Sequence, residues 1–116
     1  MADNGERASQ IRALNDHMRT EGPLAPSRNR WVLTQGVLAL GAPAVEAIIQ
    51  ALREFSDFTE DNDPYGEHDF GSIDHDEGRI FWKIDYYDRT LSEGSPDPSD
   101  EAVTCRVLTI MLAMEY

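Results

Sequence analysis

The chain has 116 residues, 41% of them apolar and aliphatic or aromatic, and a formal net charge of −12. That length suits one domain able to bury roughly two-thirds of its chain surface. The acidic balance disfavours non-specific binding to DNA, RNA or an anionic membrane, because no basic patch offsets phosphate repulsion.

Residues 1–8 are polar and expected to be flexible, leaving residues 9–116 as the folded domain. Ser9 is placed to cap a helix running to about Thr20, with Ile11, Leu14 and Met18 on one face and Arg12, Asp16 and Arg19 on the other. Glu21-Gly22-Pro23 stops it, and residues 23–30 read as a loop. Trp31-Val32-Leu33-Thr34 reads as a strand, continued weakly through Val37. Gly41-Ala42-Pro43 opens a second helix, with Pro43 in its first turn and Val45, Ile48, Ile49, Leu52 and Phe55 as its apolar stripe.

Residues 57–69 read as a loop, since Asn62-Asp63-Pro64-Tyr65-Gly66 is turn chemistry. A strand over residues 70–73, a connection over 74–78 and a strand over 79–87 make a hairpin. In its second strand Ile80, Trp82, Ile84 and Tyr86 should face the helices. Phe81, Lys83, Asp85 and Tyr87 point the other way, and form an aromatic interface unless a helix or the terminal segment covers them. After a Ser/Pro/Asp loop over residues 90–100, Asp97 to Asp100 offers a cap and an acidic first turn for a last helix to about Met114. Val103, Val107, Ile110, Met111 and Met114 form its stripe. The expected fold is a small α+β domain of order α-β-α-β-β-α, with a short, mainly antiparallel sheet packed against helices.

Cys105 is the single cysteine, so neither a disulfide framework nor a Cys-rich zinc site can form within one chain. The opening MADNGERASQ lacks an apolar signal region, and no run approaches the ~18 apolar residues of a membrane span. A cytoplasmic protein is expected.

The charge is not evenly spread. Residues 57–101 carry fifteen Asp and Glu against Arg79, Lys83 and Arg89, which accounts for the whole net charge; the remainder is neutral. A focused charge suggests a cation, a basic partner or only a solvated face.

Four segments carry a family likeness: Glu60-Asp-Asn-Asp-Pro-Tyr-Gly-Glu-His-Asp-Phe-Gly71, Phe81-Trp-Lys-Ile-Asp-Tyr-Tyr-Asp88, Gly94-Ser-Pro-Asp-Pro98 and Val107-Leu-Thr-Ile-Met-Leu112. In this order they resemble the bacterial family called domain of unknown function 3768, over about residues 11–116. The resemblance implies a bacterial protein often encoded near mobile elements, and slightly favours a regulator or inhibitor over a metabolic enzyme. It assigns no catalytic role to any residue.

Three chemistries compete for the acidic stretch. As a calcium-hand loop, Asp61 and Asp63 would take the first two ligand positions, but Tyr65 replaces an oxygen ligand and Ser72 stands where a bidentate Glu is needed. A divalent ion held by Asp61, Asp63, Glu67, His68 and Asp69 is an alternative, as is a transition metal drawing on His68 and His75; His17 lies far off in sequence. The competing structural reading is a turn whose Asp and Asn side chains bond nearby amides. Glu67-His68-Asp69 holds acid–base groups, but adjacent residues do not share one face, no nucleophile motif accompanies them, and Cys105 reads as a core residue. No catalytic residue and no cofactor is assigned. The favoured reading is a non-enzymatic protein binding a basic protein surface, as a nucleic-acid mimic or inhibitor, through Asp57, Glu60, Asp61, Asp63, Glu67, Asp69, Asp74, Asp76 and Glu77.

Overall fold

A computed structural model describes residues 4–76 and 78–116. Helix α1 spans Asn4–Glu21, strand β1 Arg30–Leu33, the one-turn helix α2 Gln35–Leu38, and helix α3 Ala42–Arg53. Strands β2 (Phe70–His75) and β3 (Gly78–Tyr87) form the hairpin, and strand β4 (Cys105–Leu112) follows a 3₁₀ turn at Glu101–Val103. The four strands make one sheet in the order β1-β4-β3-β2, antiparallel except for the β1–β4 pair. The fold is α+β, as expected.

The hairpin follows its alternation. Ile80, Trp82 and Ile84 are buried beneath the helices with Met18, Ile48, Leu52, Leu108 and Ile110. Trp82 is fully buried and meets Phe55 and Phe58 edge-on, at ring-centre distances of 5.5 and 6.2 Å. Gly71 sits opposite it in register. A Cβ there would lie 2.5 Å from the indole nitrogen and 2.8 Å from Phe55, so the tight ring packing requires glycine.

On the other face, Phe81 is half-buried between Phe70 (5.4 Å) and Tyr116 (5.6 Å). The terminal segment therefore covers the aromatic end of this face, while Lys83 and Asp85 pair at 3.1 Å farther along it. A second tether holds the same segment. Glu115 accepts hydrogen bonds from the Thr34 hydroxyl (2.6 Å) and the Gly36 amide (3.3 Å), at the start of α2.

The segment expected to be the last helix is instead β4, a central strand paired on both sides. The cap is real but serves one 3₁₀ turn: the Asp100 carboxylate accepts from the Ala102 amide at 2.9 Å, and Thr104 already has extended geometry. Beyond it, Cys105, Leu108, Ile110 and Met111 are buried from both faces of the sheet. A strand covered twice carries a continuous apolar run, which also satisfies a helical stripe.

Two boundaries also shift. Helix α1 starts at Asn4, so Ser9 lies inside it, and its hydroxyl accepts from Arg12 (2.7 Å) instead of capping the end. Strand β1 stops at Leu33 because Thr34 caps α2, its hydroxyl accepting from the Val37 amide.

Candidate functional site

The acidic loop of residues 57–69 is a knitted structure. The Asn62 side chain bridges the Thr59 amide (2.8 Å) and the Asp57 carbonyl (2.9 Å), and the Asp63 amide bonds back to the Thr59 carbonyl (2.8 Å). Asp63 is buried, and both its carboxylate oxygens accept from the His68 amide, at 3.1 and 3.3 Å. This is the turn reading: short side-chain oxygens satisfy nearby backbone donors. Asp63 therefore cannot serve as a partner contact, because its carboxylate is already committed inside the protein.

The loop then presses against α1. Arg12, Asn15, Asp16 and Arg19 recur at helical spacing, and all four bond to residues outside the helix or brace one that does. Arg12 donates to the Gly66 carbonyl (2.9 Å) and Asn15 to the Glu67 carbonyl (3.0 Å). Asp16 receives both the His68 ring Nδ1 (2.8 Å) and Arg19 (3.0 Å), and Arg19 also donates to the Phe55 carbonyl (3.0 Å). His68 has a left-handed backbone (φ 55°), which costs a non-glycine residue on the order of 1 kcal/mol. Asp63 on its amide, Asp16 on its ring and Phe58 stacked flat beneath it (3.7 Å, 3°) hold it there.

Behind the loop lies a buried polar network that the sequence did not announce. Arg106, on β4, donates through Nε to Asn15 (2.6 Å) and through a terminal nitrogen to the Pro98 carbonyl. Asn15 donates to the Tyr86 hydroxyl (2.8 Å), which donates to the Glu67 carboxylate (2.9 Å). The Arg106 guanidinium also lies 5.2 Å from the Tyr86 ring centre. Burial pulls the Arg106 pKa down and pushes the Tyr86 pKa up. Each group nonetheless has hydrogen-bonded partners, the condition for a polar cluster to survive in a core.

The acids expected to form one surface thus divide. Asp57, Glu60 and Asp61 are exposed on the loop, and Asp74 and Asp76 are exposed at the hairpin. Asp63 is buried, while Glu67 and Asp69 are half-buried. Desolvation raises the pKa of Asp69, helped by the neighbouring charges of Glu67, Asp63 and Asp85. Glu77 lies outside the described residues. Asp74 faces Arg79 across the hairpin at 3.4 Å.

The loop residues considered as metal ligands have other partners or face water. Asp63 and His68 bond each other, Glu67 takes Tyr86, and Asp61 is exposed. Among the described residues, no group of three or more His, Cys, Asp or Glu side chains is placed to hold an ion. His75 pairs with Gly78 at the hairpin end, and His17 lies exposed on α1 beside Glu21 (3.6 Å). Cys105 is buried, its thiol directed to the Arg28 carbonyl at 3.2 Å. No described helix is long and apolar enough to cross a membrane.

No curated protein and no solved structure matches the chain. One family model does, over residues 33–115, from the last residue of β1 through the turn after β4. Helix α1 precedes the matched segment, although the loop and Arg106 inside that segment are bonded to it. With well over half its length matched, the chain belongs to the family described as "Protein of unknown function (DUF3768)".

Proposed function

We propose that this is a non-enzymatic protein of the bacterial cytoplasm whose acidic surface docks on a basic protein. The surface consists of the exposed loop acids Asp57, Glu60 and Asp61 with Asp74 and Asp76 of the hairpin. A nucleic-acid-binding face is the partner class that suits it, since spaced carboxylates can occupy sites built for phosphates. The observation that supports this reading is the division of the loop. Asp63 and Glu67 are hydrogen-bonded within the fold, while Asp57, Glu60 and Asp61 remain in water on a scaffold fixed by Asn62 and Asp63. An acidic face held in one shape steers association better than a mobile tail of the same charge.

The test compares three proteins as baits at low and high ionic strength: wild type, Asp57→Asn/Glu60→Gln/Asp61→Asn, and the charge-matched control Glu6→Gln/Glu46→Gln/Glu54→Gln. The expected result is a protein captured by wild type and control, lost by the loop variant and lost at high salt. Identical capture by all three baits at low salt sinks the proposal.

A further inference from the structure

The two tryptophans of this chain have different surroundings. Trp82 is sealed in the core, with Arg19 lying 5.4 Å from its ring and Asp16 holding that guanidinium at 3.0 Å. Aromatic ring, cation and carboxylate form a complete set. Trp31, on β1, is only half-buried, and among the described residues neither a guanidinium nor another ring lies against it.

Trp31 lines a cleft of about 500 Å³ between the last turn of α1, residues 22–29, β1 and the 3₁₀ turn. Met18 and Leu33 supply further apolar wall, Glu21 and Glu101 supply carboxylates, and His17 lines it beside Glu21 (3.6 Å); no lysine or arginine lines it. Both glutamates are exposed, and Glu101 forms no ion pair among the described residues, although it shares the field of buried Arg106. The walls are fixed. Arg28 donates to the Glu101 carbonyl (3.2 Å), Arg53 donates to the Thr20 carbonyl (3.0 Å), and the Asn29 side chain accepts from the Arg106 amide (2.8 Å). A concave site with an aromatic ring, an apolar wall and two carboxylates is complementary to one chemistry, a cation carried on a carbon skeleton.

We propose that this cleft binds the ammonium or guanidinium head of an organic cation against Trp31, with Glu21 and Glu101 as its counter-charges. The site is separate from the acidic loop and stands or falls independently of the docking surface. Its volume is in the range of small-molecule sites, so a free diamine-like cation and an arginine or lysine side chain of a peptide are both admissible sources of the head group.

The test is an NMR titration of the full chain with agmatine, choline and acetyl-Gly-Arg-Gly-amide, with acetyl-Gly-citrulline-Gly-amide as the neutral isostere. The Trp31 indole N–H should shift with the cations while the Trp82 indole N–H stays in place. Glu21→Gln/Glu101→Gln should weaken binding about tenfold, and Trp31→Phe a few-fold, in keeping with the weaker ring. The glutamates are exposed, so the double variant keeps its fold; Asp57→Asn/Glu60→Gln/Asp61→Asn should leave the affinity unchanged. Tighter binding of agmatine or of the peptide identifies the source. The proposal is overturned by citrulline peptide binding as well as arginine peptide, by an unshifted Trp31 at millimolar cation, or by equal losses in the two acid-removal variants.

Discussion

The first half of the acidic loop faces water and the second half faces α1. Asp61 and Asp63 are two residues apart, yet Asp61 is exposed and Asp63 is buried with its carboxylate on the His68 amide. What separates them is the supply of donors. The backbone reverses at Gly66 and His68, which aims one amide at Asp63 and two carbonyls at Arg12 and Asn15. No such donor reaches Asp61 from the described residues. An acidic run is thus one composition with two uses, and local backbone geometry decides between them.

Three comparisons test that division. The largest effect belongs to Arg106→Ala, which leaves Asn15 Oδ1 and the Pro98 carbonyl without their donor in a buried setting. We expect a loss of about 3 kcal/mol, read from the denaturant midpoint; an unchanged midpoint would mean the inner network stabilises nothing. The next contrast sets Asp63→Ala against Asp61→Ala. The first should cost about 2 kcal/mol by orphaning the His68 amide and freeing a left-handed backbone, and the second should stay within about 0.5 kcal/mol. Equal losses would erase the distinction between the two halves.

The smallest effect is at Asp69. Its folded-state pKa is raised, chiefly by burial, so its contribution to stability is present at acid pH and lost as pH rises through that raised value. Asp69→Asn should therefore gain stability relative to wild type at pH 7, and the gain should shrink as pH falls toward 4. Melting curves across that range would show it, and a pH-independent difference would refute the burial argument.

Much of the sheet was legible because its signals were local. The β2–β3 hairpin follows from alternation around Trp82, and α3 from Pro43 and its apolar stripe. Strand β4 was not legible, because Val107, Ile110 and Met111 satisfy a helical stripe while its β-branched residues and Thr104 favour a strand. Pairing on both sides settled the contest, and pairing is non-local. The turn at Asn62-Asp63 was readable from composition. The Arg106–Asn15–Tyr86–Glu67 network was not, since its members come from four separate segments. One signal existed: Arg12, Asn15, Asp16 and Arg19 form a polar stripe as ordered as the apolar one, and such a stripe can face a loop as readily as water.

The place of β4 in the sheet has a consequence for the emerging polypeptide. This strand pairs with residues 30–33 in parallel and with residues 80–87 antiparallel, so it bridges segments far apart in the chain. Until residues 105–112 leave the ribosome, β1 has no neighbour, β3 is paired on one side only, and Asn15 lacks its arginine. A nascent chain halted before Cys105 should hold only the isolated hairpin and fluctuating helices, with the apolar floor of the sheet open to chaperones. Assembly waits for the latest strand and then happens in a single cooperative step, at the slower rate that long-range closures impose.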